Sequence, residues 1–182
     1  TIGLPPHVTA ATGVDAMVHA IEAFTSKNKK NPYSDMLAVQ ALNLLYTNIE
    51  SAVSKGSDLK AREGMLLGAM MAGQAFANAP VAAVHALAYP LGGHYHIPHG
   101  LSNSLVLPPV LRFNSTGAAE NYSQLSIAMG IGDTHSSAEK NCSLFIDTLE
   151  GLITKVGLPT KLRDSCVNEK DLPLLAKDAM LQ

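Results

Sequence analysis

The sequence of 182 residues is long enough to bury one hydrophobic core. Apolar residues make up 47% of the chain and charged residues 15%, a balance that excludes an intrinsically disordered protein. The formal net charge of −2 gives no electrostatic reason to expect nucleic acid as a partner, and no apolar run reaches the roughly 18 residues that a membrane span requires. With only two cysteines, Cys142 and Cys166, we expect no disulfide framework and a reducing, cytoplasmic location.

Apolar residues recur with helical periodicity, and no segment alternates convincingly with the period of a β-strand. The stripe with the i, i+3, i+4, i+7 spacing of a buried helix face consists of Val14, Met17, Val18, Ile21 and Phe24. The first predicted helix is capped by Thr9 or Thr12 and ends near Thr25. Three more are predicted from Pro32 to about Gly56, from Ser57 or Asp58 to Phe76, and from Val81 to Tyr89. The last four are predicted from Leu101 to Pro108 and Pro109, from Asn114 to Met129, from Ser136 to Val156, and from Asn168 to Met180. The sequence therefore predicts an all-α fold, a helical bundle that forms a single domain over residues 1–182.

Three features refine this prediction. Pro90 is expected to end a helix at Tyr89, because proline disfavours helical geometry at the residue before it, and a loop over 91–98 should follow. The helix that ends near Phe76 is rich in glycine and alanine, which permit close helix contacts, so we place it in the middle of the bundle. The chain starts at Thr1 rather than methionine and is still in a helical pattern at Gln182, so we expect a fragment.

Two stretches carry residues with the chemistry of metal ligands. Asp15 and His19 are four residues apart, so both project from one helix face. His85 lies on a buried helix, and His99 follows Pro98 at the start of the next helix, after a segment rich in proline and glycine that can turn back on itself. Three imidazoles and one carboxylate suit Zn²⁺ or Fe²⁺ better than Ca²⁺ or Mg²⁺. We predict that the two stretches meet around a divalent metal ion.

Neighbouring residues leave several alternatives open. His94 and His96 are expected in a loop, where they are solvated or hydrogen-bonded, although either could replace His99 as a ligand. Glu22, one turn after His19, is either a surface carboxylate or a partner that orients the His19 ring. Tyr89 shares a helix face with His85 and is either a packed core residue or a site residue. The residues alone favour Phe76 as core rather than pocket wall.

The sequence resembles the iron-containing (group III) alcohol dehydrogenase family. The resemblance is carried by TGVDAMVHAIEAF, GQAFANAPVAAVHALAYPLGGHYHIPHG and SNSLVLPPVLRFN, and it extends from LPPHVTAATG to DLPLLAKDAM. These segments look like the C-terminal, metal-binding helical domain of that family. The resemblance implies that the metal ligands are Asp15, His19, His85 and His99, and that Phe76 lies near the substrate and nicotinamide pocket. Many members have a histidine, proposed for proton relay or nicotinamide contact, where this chain has Tyr89, so Tyr89 is the candidate catalytic residue at that position.

The resemblance also implies an activity. The metal, Fe²⁺ or Zn²⁺, would coordinate the oxygen of a small alcohol or aldehyde while a hydride is exchanged with NAD or NADP. The family's N-terminal dinucleotide-binding domain would bind that cofactor, and no G-x-G-x-x-G motif of such a domain occurs in these residues. We therefore expect the 182-residue chain to be inactive by itself and to need the N-terminal domain as its partner.

Other functions remain as alternatives. Within the same superfamily they are a glycerol dehydrogenase, a maleylacetate reductase or a hydroxyacid–oxoacid transhydrogenase. Outside enzymes, the alternative is a non-catalytic helical interaction module whose histidines are ordinary core or loop residues. The sequence does not distinguish Fe²⁺ from Zn²⁺ or NAD from NADP, and it leaves open whether the protein forms a homo-oligomer.

Overall fold

The structure, a computed structural model, describes residues 1–80 and 82–182. It is a bundle of α-helices, and the described residues contain no β-strand, which confirms the predicted all-α fold. The helices are α1 (Pro6–Thr25), α2 (Pro32–Ser54), α3 (Leu59–Asn78), α4 (Ala83–Tyr95), α5 (His99–Ala128), α6 (Ala138–Lys155) and α7 (Leu172–Ala179), with short 3₁₀ turns at Leu162–Ser165 and Glu169–Asp171.

Helix α1 is the centre of the bundle and packs against α2, α3 and α5. The predicted apolar stripe is buried, and so are four alanines on the other sides of α1, namely Ala10, Ala16, Ala20 and Ala23. The prediction that α3 occupies the middle is wrong. Its small residues do face a neighbour, since Gly68 packs against Leu45 of α2, but the opposite side of α3 exposes large apolar residues such as Leu66 (60%) and Met70 (51%).

Local signals at the helix starts are mostly confirmed. The Asn31 side chain accepts hydrogen bonds from the backbone of Tyr33 and Ser34, and Pro32 occupies the first helical position of α2. Asp58 caps α3 by accepting from the backbone of Ala61. Helix α1 instead starts at Pro6, before the predicted caps, because a proline in the first turn needs no hydrogen bond there.

The predicted proline stops are wrong. Helix α4 continues through Pro90 to Tyr95, and α5 continues through Pro108 and Pro109 to Ala128, so the two predicted segments after His99 form one helix. Each proline removes one backbone hydrogen bond, and the burial of neighbouring apolar side chains such as Leu91 and Leu111 compensates for that loss. The predicted start of α4 at Val81 lies outside the described residues.

The connection between α4 and α5 is consequently a corner of three residues, 96–98, instead of the predicted eight-residue loop. His96 ends α4 in the left-handed region, with φ 55° and ψ 26°. This sharp corner places the N-terminal ends of both helices within reach of α1. The predicted last helix is shorter than expected, because residues 169–171 form a 3₁₀ turn before α7.

Among the described residues, no single helix has the length and hydropathy of a membrane span, and one bent pair, Leu59–Asn78 with Ala83–Tyr95, passes such a test on length and composition alone.

The contact between α2 and α3 gives a first test. A Cβ atom on Gly68 would lie 2.9 Å from Cγ of Leu45 and 3.2 Å from the carbonyl oxygen of Ala41. We expect Gly68→Val to lower the free energy of unfolding by about 1–3 kcal/mol, because the helices must move apart. The matched control is Gly73→Ala on the same helix, where a Cβ meets no described heavy atom within 4 Å. It should be neutral or raise stability by about 0.5–1 kcal/mol. Urea denaturation measures both, and equal effects would contradict the proposed packing.

Candidate metal centre

Three side chains from three helices converge at one point. One carboxylate oxygen of Asp15 on α1 and one ring nitrogen each of His85 on α4 and His99 on α5 all lie within 4.8 Å of one another. Asp15 Oδ1 is 3.8 Å from His85 Nε2 and 3.5 Å from His99 Nε2. The three residues differ in exposure, because the His85 side chain is 0% exposed, Asp15 19% and His99 47%. The group is therefore anchored in the core on one side and open on the other.

Glu22 holds the imidazole ring of His85, the buried member of this group, in one orientation. Its carboxylate lies 2.6 Å from Nδ1 of His85 and accepts hydrogen bonds from the backbone amides of Ala82 (3.0 Å) and Val84 (2.7 Å). Because a carboxylate only accepts, Nδ1 is the donating nitrogen of the imidazole. Of the two alternatives expected for Glu22, the surface carboxylate is wrong, because the residue is only 4% exposed. The partner that orients a histidine ring is present, but the described contacts join Glu22 to His85 and not to His19.

In this tautomer of His85, Nε2 is the unprotonated ring nitrogen and carries the free lone pair. This atom is buried and has no hydrogen-bond partner among the described residues. Buried polar atoms are nearly always hydrogen-bonded, so an unpaired one in the core calls for an explanation. The atom points toward Asp15 at 3.8 Å, which is too long for a hydrogen bond.

The distances are compatible with a shared cation. Two atoms that each bind one Zn²⁺ or Fe²⁺ at about 2.1 Å are separated by no more than about 4.2 Å. The distances from Asp15 Oδ1 to His85 Nε2 and to His99 Nε2 fall below that limit. One carboxylate with neutral imidazoles is also the donor set that such borderline cations prefer. The residues present therefore fit a divalent transition-metal ion.

His19 lies beside this group without belonging to it. It is one turn after Asp15 on α1, and its ring centroid is 4.5 Å from that of His85 and 5.0 Å from that of Phe76. Burial lowers the pKa of His19; Asp15 opposes this effect, whereas His85 and His99 add to it. Phe76 is half-buried, so it borders the site and is not plain core.

Tyr89 is not a packed core residue. Its side chain is 42% exposed, and its ring stacks on that of His99 with a centroid distance of 5.8 Å and an interplanar angle of 17°. It also lies 6.1 Å from the His85 ring. Tyr89 therefore forms part of the open side of the site, next to the donor atom of His99.

His94 and His96, at and just after the end of α4, lie outside this group of donor atoms. Nε2 of His94 lies 2.6 Å from a carboxylate oxygen of Asp178 at the end of α7, and His96 is exposed at the corner after α4. Both were expected in a loop, whereas the structure places His94 in the last turn of α4. The hydrogen bond expected for such residues is present at His94.

Asn103 is a further residue at this site, and the sequence motifs did not identify it. It lies on α5 one turn after His99, and its side-chain amide donates a hydrogen bond to Oδ1 of Asp15. The same nitrogen lies 3.2 Å from Nε2 of His99. The i, i+4 spacing places Asn103 on the same helix face as His99. This spacing alone does not predict the contact with Asp15, because that contact depends on how α1 packs against α5.

Comparison with known proteins places this chain in a family. The sequence profile described as "Fe-containing alcohol dehydrogenase family, C-terminal" matches residues 9–182. The chain belongs to the Fe-containing alcohol dehydrogenase family. The resemblance inferred from the sequence motifs is thus confirmed.

Relatives in the Fe-containing alcohol dehydrogenase family are similar over nearly the whole chain. The 1,3-propanediol dehydrogenase of Citrobacter freundii is 41% identical over 179 residues, which cover 98% of this chain and 46% of the relative. Long-chain-alcohol dehydrogenase 1 of Geobacillus thermodenitrificans is 42% identical over 182 residues, which cover 100% of this chain and 46% of the relative. The chain therefore spans about half the length of the curated relatives it matches.

Solved structures of the family have the same fold. A crystal structure of 1,3-propanediol oxidoreductase superposes with a TM-score of 0.97 at 41% identity and covers 100% of this chain and 47% of that protein. A sulfoacetaldehyde reductase from Bifidobacterium kashiwanohense, solved in complex with NAD⁺, superposes with a TM-score of 0.85 at 28% identity and covers 98% of this chain and 45% of that protein. The helical bundle corresponds to the C-terminal domain of these two-domain proteins.

The Glu22 contacts give a second test. In Glu22→Gln one carboxylate oxygen becomes an NH₂ group, so at least one of the three donors at this position loses its acceptor. We expect the free energy of unfolding to fall by about 1–3 kcal/mol. The measurement is urea denaturation in the presence of EDTA, so that no cation contributes. The control is Glu63→Gln on the exposed surface of α3, which should change stability by less than about 0.5 kcal/mol. Equal stability of the two variants would contradict a structural role for Glu22.

Proposed function

We propose that this chain is the metal-binding domain of an NAD(P)-dependent alcohol dehydrogenase that acts on a small alcohol or aldehyde. The observation that carries the proposal is the unpaired, fully buried Nε2 of His85, which faces the donor atoms of Asp15 and His99. A helical interaction module would have no reason to leave this nitrogen unpaired, since burial without a partner costs stability.

We propose Asp15, His19, His85 and His99 as the residues that hold a divalent cation, Fe²⁺ or alternatively Zn²⁺. Asp15, His85 and His99 are supported by their mutual distances. His19 is supported by its place on the same face of α1 as Asp15 and by the contact of its ring with that of His85. The lowered pKa of His19 favours the neutral imidazole, which is the form that binds a metal.

Glu22 is proposed to support the site without touching the cation. A metal-binding histidine commonly donates its other ring N–H to a carboxylate, which fixes the tautomer and the orientation of the ring. The hydrogen bond from Nδ1 of His85 to Glu22 has this arrangement. Because the backbone of α4 also donates to Glu22, the ring and the helix that carries it are held by one group.

The open side of the site is proposed to receive the substrate. Tyr89 and His99 are partly exposed there, and Phe76 lies beyond His19. These aromatic rings would exclude water from part of the pocket and orient a small alcohol or aldehyde. When bound, the cation would act as a Lewis acid that polarises the oxygen of this substrate.

We infer that NAD or NADP would be bound mainly by a domain N-terminal to this chain. The inference is supported by the match to the C-terminal part of the family and by relatives of about twice the length. The described residues contain no strand that could precede a Gly-rich dinucleotide-binding turn. The 182-residue chain alone is therefore expected not to oxidise alcohols with NAD(P).

The central experiment measures metal content. Purified full-length protein is reconstituted anaerobically with Fe²⁺ and, separately, with Zn²⁺, and bound metal is quantified after removal of the excess. We expect about one ion per chain in the wild type and almost none in a His85→Ala, His99→Ala double variant, because the variant removes two of the proposed ligands.

A second double variant, His94→Ala with His96→Ala, is the matched control. It also removes two histidines from the same segment, but His94 pairs with Asp178 and neither histidine belongs to the group of converging donor atoms. It should bind metal like the wild type, and circular dichroism checks that all proteins are folded. Equal metal content in the wild type and in the His85, His99 variant would reject the proposed site.

Tyr89 is proposed as a catalytic residue that moves a proton at its phenolic oxygen. We expect Tyr89→Phe, which keeps the ring that stacks on His99, to lower kcat by about 10²-fold while KM changes little. The measurement is steady-state oxidation of a small alcohol with NAD(P) by the metal-loaded full-length protein. The control is Tyr33→Phe at an exposed position on α2. An unchanged kcat would leave Tyr89 with a role in the pocket wall only.

A further inference from the structure

Asn103 is a carboxamide in an unusual position. It lies on α5, is 0% exposed, and is surrounded by the contact between α5 and α1. Its Nδ2 donates to Oδ1 of Asp15 and lies 3.2 Å from Nε2 of His99. The polar end of a fully buried side chain therefore reaches two of the three donor atoms of the candidate metal centre.

The other end of the amide is not satisfied in the same way. Oδ1 of Asn103 is buried and accepts no hydrogen bond within the part of the chain that the structure describes. An asparagine that only filled space here could be replaced by leucine, which would remove an unpaired buried oxygen and improve stability. The presence of a donor at this position is therefore explained by Asp15 and His99, and not by packing.

The backbone next to Asn103 holds this contact in place. A Cβ atom on Gly100 would lie 2.6 Å from the carbonyl oxygen of Ala11, so the first turn of α5 packs directly on the backbone of α1. Ala11 is one turn before Asp15, and Gly100 directly follows His99. The distance between the two helices is thus fixed where Asn103 reaches across to Asp15.

We propose that Asn103 is a positioning residue of the metal centre that acts through Asp15, an inference that rests on the proposed function. A carboxylate oxygen has two lone pairs, so Oδ1 of Asp15 can accept the amide hydrogen and still bind a cation. An imidazole nitrogen has a single lone pair, so at His99 the amide and a cation exclude one another. Asn103 consequently fixes the side-chain rotamer of Asp15 and aims Oδ1 at the point that His85 and His99 face.

The test is cation affinity and geometry, measured on purified full-length protein. Zn²⁺ dissociation constants are obtained by competition with a chelator, and the visible absorption spectrum of the Co²⁺-substituted protein reports the coordination geometry. We expect Asn103→Leu to weaken Zn²⁺ binding by about 10–100-fold and to alter the Co²⁺ spectrum. Asn103→Ala is a second variant in case leucine disturbs the fold, and it should show the same direction of change.

Two comparisons separate positioning from a general loss of stability. Asn141→Leu removes another buried asparagine, which hydrogen-bonds to Ser123 and to the backbone of Asp133 in the contact between α5 and α6. It should lower thermal stability in EDTA but leave Zn²⁺ affinity unchanged. In an Asp15→Ala background, Asn103→Leu should weaken binding by less than about 3-fold further, because both residues act at one ligand.

The possible outcomes distinguish the positioning role of Asn103 from the existence of the metal centre itself. Wild-type protein that binds Zn²⁺ through His85 and His99, with unchanged affinity and Co²⁺ spectrum in both Asn103 variants, overturns the positioning role alone. Additive effects of Asp15→Ala and Asn103→Leu overturn it as well. Wild-type binding no tighter than that of the His85→Ala, His99→Ala variant overturns the metal centre and, with it, the role of Asn103.

Discussion

The carboxylate of Glu22 is buried in α1, and it accepts hydrogen bonds from three donors that all belong to the start of α4 and the residue before it. The main helix contacts of α4 are to α5 and α7, so these hydrogen bonds, together with the contact between the rings of His19 and His85, tie α4 to the central helix. The Glu22 carboxylate also orients the His85 ring. A buried charge without partners would be costly, and the three donors offset that cost. The position of α4 and the direction of its histidine therefore depend on the same interaction.

The rest of the site is arranged around this fixed point. The three-residue corner after α4 brings His99 back toward α1, and the close packing of Gly100 on Ala11 sets the distance between α5 and Asp15. Asp15, His85 and His99 thus meet although they come from three helices and are separated by up to 84 residues in the chain. This arrangement resembles other sites in helical bundles, whose polar groups project inward from facing helices.

The features that could be predicted from the sequence are those determined by residues close together in the chain. The buried stripe of α1 and the cap at Asn31 depend on residues within one or two turns, and both are confirmed. The predicted helix ends at Pro90, Pro108 and Pro109 were wrong, because burial of the adjacent apolar side chains against other helices outweighs the local preference of proline. The partner of Glu22 and the role of Asn103 could not be predicted, since their contacts span 63 and 88 residues. The metal ligands themselves were proposed from residue chemistry and family resemblance.

For the proposed cation site, the unequal exposure of His85 and His99 bears on the order in which an ion would bind and leave. His85 is sealed in the core and held by Glu22, whereas His99 and Tyr89 border solvent. An incoming ion would meet the exposed outer imidazole first and the buried, hydrogen-bonded inner imidazole last, and it would leave in the reverse order. The barrier to release would then be set by the motion of the outer side chains, so substrate that covers Tyr89 and His99 would slow the loss of the ion while leaving the inner half of the site unchanged.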